Sequence, residues 1–290
     1  METIFSVDFK RIDKGQAFIP VMDRGFLYGD SIYEAVRTYR GRLFLLKEHF
    51  ERLENSALRL SLKIPFTLKE LQNHLNQLIG KQETDFYIRI IVTRGEDSAF
   101  DLNPSRPLKP KTIVAISDNH EYPSDFYTKG INVTIVSVRR NSKSALDPEI
   151  KSGNYLNNIL AVMEAKSKGT NDALMINENG HVTECTTSNF FIVKNGIAIT
   201  PKLDSGLLHG VTRQFLLQTM VKKDLKYSED YITPKDVYDA DEAFITATTK
   251  EIMPVRVCDS KVIGKGSVGP VTQNLMKIFH EEALKVVGLK

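Results

Sequence analysis

Hydrophobic spacing divides the chain into helical and extended stretches. Between residues 47 and 62, Phe50, Leu53, Ala57 and Leu60 recur at intervals of three and four, the period of one helix face. Residues 68–79 repeat that pattern as a second amphipathic helix. Residues 31–39 read as a strand, turned by Arg40-Gly41-Arg42 into a hairpin partner at 43–45, and 86–93 and 112–116 read as further strands. The polar, proline-containing stretch 117–125 interrupts the pattern. Beyond it the spacing predicts strands at 132–138, 173–176, 189–193, 197–200 and 242–247, with helices after Lys151 through 165, near 212–221 and from about 271 to 284. The helix after Lys151 carries Leu156, Ile159, Leu160 and Met163, a face expected to dock on the core. Strands and helices mix without a strict βαβ rhythm, which favours an α+β fold. The expected organisation is a small N-terminal α/β domain over 1–117, a linker over 118–127, and a larger C-terminal domain over 128–290 that carries Lys151.

Composition narrows the choices. The chain has 290 residues, 41% of them hydrophobic, enough for a sizeable core. Its 39 basic and 36 acidic residues give a net charge of +3, which supplies no electrostatic reason to expect nucleic acid or an anionic membrane as partner. No apolar run approaches the roughly 18 residues of a membrane helix, and residues 1–8 show no secretory signal. Cys185 and Cys258, the only cysteines, form no disulfide framework, which points to a cytoplasmic setting. Gly264, Gly266 and Gly269 fit the dinucleotide pattern GxGxxG, but no βαβ unit surrounds them, so they are read as hairpin turn and helix entry.

The candidate chemistry centres on Lys151 in Ile-Lys-Ser-Gly-Asn-Tyr, with Tyr155 four residues on and Glu184 in Val-Thr-Glu-Cys-Thr-Thr-Ser-Asn. A deprotonated lysine amine can bond covalently to an aldehyde cofactor. A tyrosine can hydrogen-bond that cofactor's phenolic oxygen, and a glutamate can keep a pyridine nitrogen protonated. A lysine alone is ordinarily a solvated surface charge, so the pairing gains its meaning from four further stretches. These are Asp23-Arg24-Gly25-Phe26-Leu27-Tyr28-Gly29-Asp30 with Tyr33-Glu34, then Glu48-His49-Phe50-Glu51-Arg52-Leu53, then Leu208-His209-Gly210-Val211-Thr212-Arg213, and finally Phe244-Ile245-Thr246-Ala247-Thr248-Thr249. A planar guanidinium such as that of Arg52 suits two-pronged phosphate contact. Gly210 opens a helix whose N-terminal amides make an anion site. Alternation places Thr246 and Thr248 on one face.

These motifs, in this order from about residue 18 to 271, resemble the class IV (fold-type IV) aminotransferases that depend on pyridoxal 5'-phosphate (PLP). The group includes branched-chain, D-amino-acid and aminodeoxychorismate enzymes. The resemblance implies a two-domain fold like that of D-amino-acid aminotransferases, with the site at the domain and dimer interface, hence a homodimer or higher homo-oligomer. It implies that Lys151 bonds PLP and acts as the base, that Glu184 faces the pyridine nitrogen, and that Tyr155 faces the phenolic oxygen. Arg52, Val211, Thr212 and Thr248 would hold the phosphate. Tyr28, Tyr33 and Arg89 would shape the substrate pocket, with Tyr28 reaching across the dimer, while Thr248 and Thr249 receive the α-carboxylate. No metal is implied.

Tyr87-Ile88-Arg89 resembles the Tyr-x-Arg of branched-chain enzymes, whose arginine helps hold the side-chain carboxylate of glutamate or 2-oxoglutarate. The loop 93–101 lacks the arginine and histidine of D-amino-acid enzymes. Ala35 and Ala247 stand where branched-chain enzymes carry glycine, and Tyr33-Glu34 and Ala247-Thr248-Thr249 lean towards the D-type pattern. The expected activity is therefore amino transfer between L-branched-chain or similar aliphatic amino acids and 2-oxoglutarate. The alternatives are a D-amino-acid or (R)-amine transaminase, an aminodeoxychorismate lyase, and a PLP-binding protein without turnover.

Overall fold

The first 120 residues build a six-stranded antiparallel sheet. Its strands are β1 (Ile4–Val7), β2 (Lys10–Ile12), β3 (Ser31–Tyr39), β4 (Arg42–Leu43), β5 (Phe86–Thr93) and β6 (Lys111–Asp118), in the order β2-β1-β6-β5-β3-β4. A short helix α1 (Arg24–Tyr28) precedes β3, and α2 (Leu46–Arg59) and α3 (Leu68–Ile79) link β4 to β5. The helical spacing has its expected cause: Phe50, Leu53 and Ala57 of α2 and Leu71, Leu75, Leu78 and Ile79 of α3 are buried with Ile32, Val36, Ile88, Ile90, Val92 and Val114 of the sheet. Thr67 and Glu70 close a capping box at the start of α3, which sets where that helix begins.

The computed structural model describes residues 2–104 and 108–289. It falls into two units, Met1–His120 with Ile150–Asn154, and Glu121–Glu149 with Tyr155–Lys290. The change of unit after His120 lies inside the expected linker. The segment with Lys151, however, packs with the first unit and not with the C-terminal one where it was expected. Backbone pairing is the reason: Tyr33 N–H donates to the Lys151 carbonyl at 3.0 Å and Gly153 N–H donates to the Ser31 carbonyl at 2.8 Å. A Cβ on Gly153 would lie 2.2 Å from Ser31 Oγ, so the close approach needs glycine.

The second unit contains α4 (Ser124–Thr128), β7 (Ile131–Ile135), α5 (Leu156–Ser167), β8 (Asp172–Ile176), β9 (Val182–Cys185), β10 (Asn189–Lys194), β11 (Ile197–Pro201), α6 (Val211–Lys222), β12 (Tyr227–Asp230), α7 (Pro234–Tyr238), β13 (Glu242–Ala247), β14 (Glu251–Cys258), β15 (Lys261–Val262) and α8 (Pro270–Val286). Its nine strands run β12-β11-β10-β13-β14-β7-β8-β9, with β15 on β14, and β9 also pairs with β10 through Glu184 and Asn189, so the sheet closes on itself. The pairings β11–β12, β14–β7 and β7–β8 are parallel and the others antiparallel. Strands β9, β12, β14 and β15 lie outside the expected set. In β14, Pro254 and a register shift between Val255 and Val257 disguise a strand that pairs on both sides.

One expectation about packing is reversed. Leu156, Ile159, Leu160 and Met163 of α5 are exposed, at 65, 46, 54 and 61%. The face turned inward carries Asn158, Ala161 and Ala165, and Ala161 and Ala165 pack on Val136, Ala173 and Met175. Small residues let α5 lie close on the sheet, which sends its large apolar face outward. The glycines of the GxGxxG match sit where a turn and a helix entry need them. Gly264 and Gly266 have positive φ, and Gly269 is the N-cap of α8.

Candidate active site

In the first unit, Lys151 is held by its main chain. Its N–H donates to Ser56 Oγ of α2 at 3.1 Å, in addition to the Tyr33 bond. Its Nζ lies 4.3 Å from the centroid of the Tyr33 ring, and Arg89 Cζ lies 4.3 Å from the same centroid. The strands explain the grouping. Ala35 pairs with Arg89 across β3 and β5, so Tyr33, two residues along on the same face, comes within diagonal reach of the arginine. Two cations therefore flank one aromatic ring, where its electron-rich face favours them. Tyr28 belongs to another cluster. Arg24 Cζ is 5.1 Å from its ring, and Arg24 also reaches the carboxylates of Asp30 and Asp97.

Arg52 lies on the face of α2 that meets β3. Its Nε and Nη2 donate to the two oxygens of Glu34, each at 2.7 Å, and His49 Nδ1 is 2.7 Å from Glu34 Oε2. Glu34 and His49 are each 1% exposed. Burial pushes the Glu34 carboxyl up, but the Arg52 charge, then His49, outweigh it and hold the group well below the usual carboxylate range. Burial pushes the His49 imidazole down, and the neighbouring Arg52 and Lys151 charges act the same way against the pull of Glu34. His49 is thus a partner of the Glu34–Arg52 ion pair.

In the second unit, Glu184 is 5% exposed at the β9–β10 closure. Arg140 Nε donates to its Oε1 at 2.9 Å, and Asn189 Nδ2 and the Leu208 N–H donate to its Oε2 at 3.3 and 3.2 Å. Arg140 is itself oriented by Asn157 Oδ1 at 3.2 Å. Sequence reasoning missed Arg140, because nothing local marks an arginine whose partner lies 44 positions on. Gly210 is the N-cap of α6 and supplies no side-chain cap, so the first amides, at buried Val211 and Thr212, carry the positive end of the helix unquenched by a side chain. A Cβ on Gly210 would lie 1.9 Å from Asn189 Oδ1. Thr246, which pairs with Asn189 across β10 and β13, keeps a buried hydroxyl oxygen without a partner among the described residues. Thr248 and Thr249 form the half-buried turn between β13 and β14, and Tyr155 is the half-buried N-cap of α5.

The structure thus groups Lys151, Tyr33 and Arg89 in one unit, with Arg52 on a buried carboxylate there. In the other it sets Glu184, the α6 N-terminus and the threonines of β13 around Asn189. The family model described as amino-transferase class IV matches residues 31–258, and the chain belongs to that family. It is an aminotransferase with the mixed α/β fold of its class.

A Methanocaldococcus jannaschii protein named "Putative branched-chain-amino-acid aminotransferase" is 39% identical over 273 residues, 94% of this chain and 93% of its own. A Listeria monocytogenes D-alanine aminotransferase is 32% identical over 280 residues, 96% of this chain and 95% of its own. The crystal structure of branched-chain amino acid aminotransferase from Thermobaculum terrenum in its PLP-form superposes with a TM-score of 0.87 at 26% identity, covering 97% of this chain and 94% of that one.

Proposed function

We propose that this aminotransferase moves amino groups reversibly between L-branched-chain or similar aliphatic amino acids and 2-oxoglutarate, using PLP. The observation that carries the substrate reading is the Tyr33 ring flanked at 4.3 Å by both the Lys151 amine and the Arg89 guanidinium. An amine able to do the chemistry then has beside it a cation suited to the second carboxylate of glutamate or 2-oxoglutarate. The similarity to the M. jannaschii protein supports the same reading.

The residues present fit PLP. The unpartnered Thr246 hydroxyl and the uncapped, buried α6 N-terminus are what a phosphate would satisfy, and Glu184 is a buried carboxylate already held for a cationic ring nitrogen. When bound, PLP supplies an electrophilic aldehyde carbon and an electron-withdrawing ring. The amides of Val211 and Thr212, with Thr248 and Arg52, would hold its phosphate. Glu184 would keep the ring nitrogen protonated, and the Tyr155 hydroxyl would donate to the phenolic oxygen. Lys151 Nζ would bond the aldehyde carbon at rest and, once displaced by substrate, would take the proton from the amino acid's Cα and return it in the reverse half. Amides of Thr248 and Thr249 would receive the α-carboxylate.

No helix among the described residues is long and apolar enough to cross a membrane; the reading adds a cytoplasmic setting. It also adds a homodimer with Tyr28 reaching the partner's pocket, which the exposed apolar face of α5 supports.

The test is a donor panel of L- and D-leucine, D-alanine, L-glutamate and aminodeoxychorismate, followed by cofactor absorbance, with borohydride trapping in wild type and Lys151→Ala. Wild type should use L-leucine and L-glutamate, and Lys151→Ala should lose the trapped label and at least about a hundredfold in turnover. Use of D-alanine alone would replace the substrate reading with the D-amino-acid one, in keeping with the Listeria relative. A label retained in Lys151→Ala would remove Lys151 from its role.

A further inference from the structure

Lys250 follows Thr248 and Thr249 directly, yet it is a buried cation, 9% exposed. Its ammonium donates to two hydroxyls and pairs with one carboxylate. Nζ lies 3.0 Å from Thr187 Oγ1, 2.9 Å from Ser188 Oγ and 3.5 Å from Asp172 Oδ2. Asp172 is shared, since its other oxygen accepts from the Thr186 hydroxyl and from the Ala173 N–H. The lysine therefore joins two turns of the second unit. One is 185–188, which follows Glu184; the other is 248–250, which links β13 to β14.

The rest of the 248–250 turn is also fixed. Lys250 N–H donates to the Ala247 carbonyl at 3.1 Å, Tyr127 Oη donates to the Lys250 carbonyl at 3.3 Å, and Tyr122 Oη is 3.3 Å from Thr249 Oγ1. Ala247 pairs with Glu251, whose φ is +55°, so Thr248, Thr249 and Lys250 form a three-residue hairpin loop closed by a left-handed residue. A buried ion pair contributes little net stability compared with an apolar side chain of the same size. A hydrocarbon would fill this space as well. What it would not supply is a fixed positive charge behind a turn whose amides, on the proposed reading, receive the substrate α-carboxylate.

We propose that Lys250 is a positioning residue for carboxylate recognition. Its ammonium braces the Thr248–Thr249 turn on the Thr187–Ser188 turn and lends positive potential to the anion site those amides form. The inference rests on the reading that this turn receives the substrate α-carboxylate, and it makes Lys250 a determinant of selectivity for acids over plain amines.

The experiment uses holoenzyme at fixed ionic strength. The Kd of 3-methylbutanoate, an unreactive carboxylate, is read from cofactor absorbance, alongside KM and kcat for L-leucine and the melting temperature. Lys250→Met should raise that Kd and the KM about tenfold, the size of a lost charge-assisted contact, with the smaller effect on kcat. Lys250→Arg, which keeps the charge, should recover most of the loss. Thr187→Val, which keeps the lysine but loosens the brace, should fall between; these two also decide the matter if the methionine variant does not fold. Wild type that transaminates L-leucine beside a Lys250→Met enzyme with an unchanged Kd overturns this inference alone. Wild type inert towards every amino donor overturns the proposed function and this inference with it.

Discussion

Glu34 accepts both prongs of the Arg52 guanidinium at 2.7 Å while a third donor, His49 Nδ1, sits 2.7 Å from the same carboxylate. The arginine expected to hold a phosphate is thus already oriented by a buried anion on the neighbouring strand. A guanidinium has five N–H groups, and Glu34 uses two of them, Nε and one on Nη2. An oriented guanidinium loses less freedom on meeting a ligand.

Glu34→Gln keeps the shape and removes the buried charge, leaving the half-buried Arg52 without this counter-ion. Breaking such a pair costs about 3–5 kcal/mol, measurable by denaturant unfolding, and a loss below about 1 kcal/mol would reject this account of the cluster. The pH dependence has a definite sign. Glu34 is held below its ordinary 4.5 and His49 below its ordinary 6.5, so the unfolded chain binds more protons at both. Stability therefore falls as the pH drops below 6.5 through His49 and again below 4.5 through Glu34. In Glu34→Gln the second fall should shrink, and an unchanged acid limb would show that other carboxylates govern it.

Gly210→Ala places a methyl group 1.9 Å from Asn189 Oδ1, although the φ of −68° at that position suits any residue. Asn189 cannot simply swing aside, because its amide donates to the Leu208 carbonyl at 2.9 Å and to Glu184 at 3.3 Å. The substitution should cost about 1–3 kcal/mol through overpacking. It should also weaken PLP binding, by disturbing the α6 N-terminus and Glu184 together. Spectral titration of the apoenzyme reads the affinity and thermal unfolding the stability. Asn189→Ala in the same chain should relieve the clash, so the two costs should not add. Wild-type affinity in Gly210→Ala would separate Asn189 from the cofactor site.

Much of this was legible in the sequence where local signals agreed. The strand at Ser31–Tyr39 and the helix at Leu68–Ile79 form over the spans their spacing predicts, and Thr67 and Glu70 show why the helix starts there. The lysine, the glutamate and the α6 N-terminus stood out by residue type. What stayed hidden depends on long-range pairing. Arg140 meets Glu184 only after β8 and β9 form, and Lys250 meets Asp172 only once two hairpin turns adjoin. Helix α5 misled for a physical reason. Periodicity reveals that a helix has an apolar face but not which side the sheet occupies, and close packing through Ala161 and Ala165 outweighed the larger side chains.

That outward face carries its own prediction. Leu156, Ile159, Leu160 and Met163 form an i, i+3, i+4, i+7 stripe exposed to between 46 and 65%, a pattern that ordinarily marks a buried seam. A second copy of this chain, related by a twofold axis, would cover it with its own stripe. The wild-type protein should then sediment as a dimer, and Leu160→Asp with Met163→Asp should shift it towards monomer. The folded monomer should be little affected, because surface substitutions away from special features stay within about 0.5 kcal/mol. If the site also needs the partner's Tyr28, turnover should fall with dilution of the double variant and recover at high protein concentration. A wild type that sediments as a monomer, or a double variant that remains dimeric, would free α5 from this role.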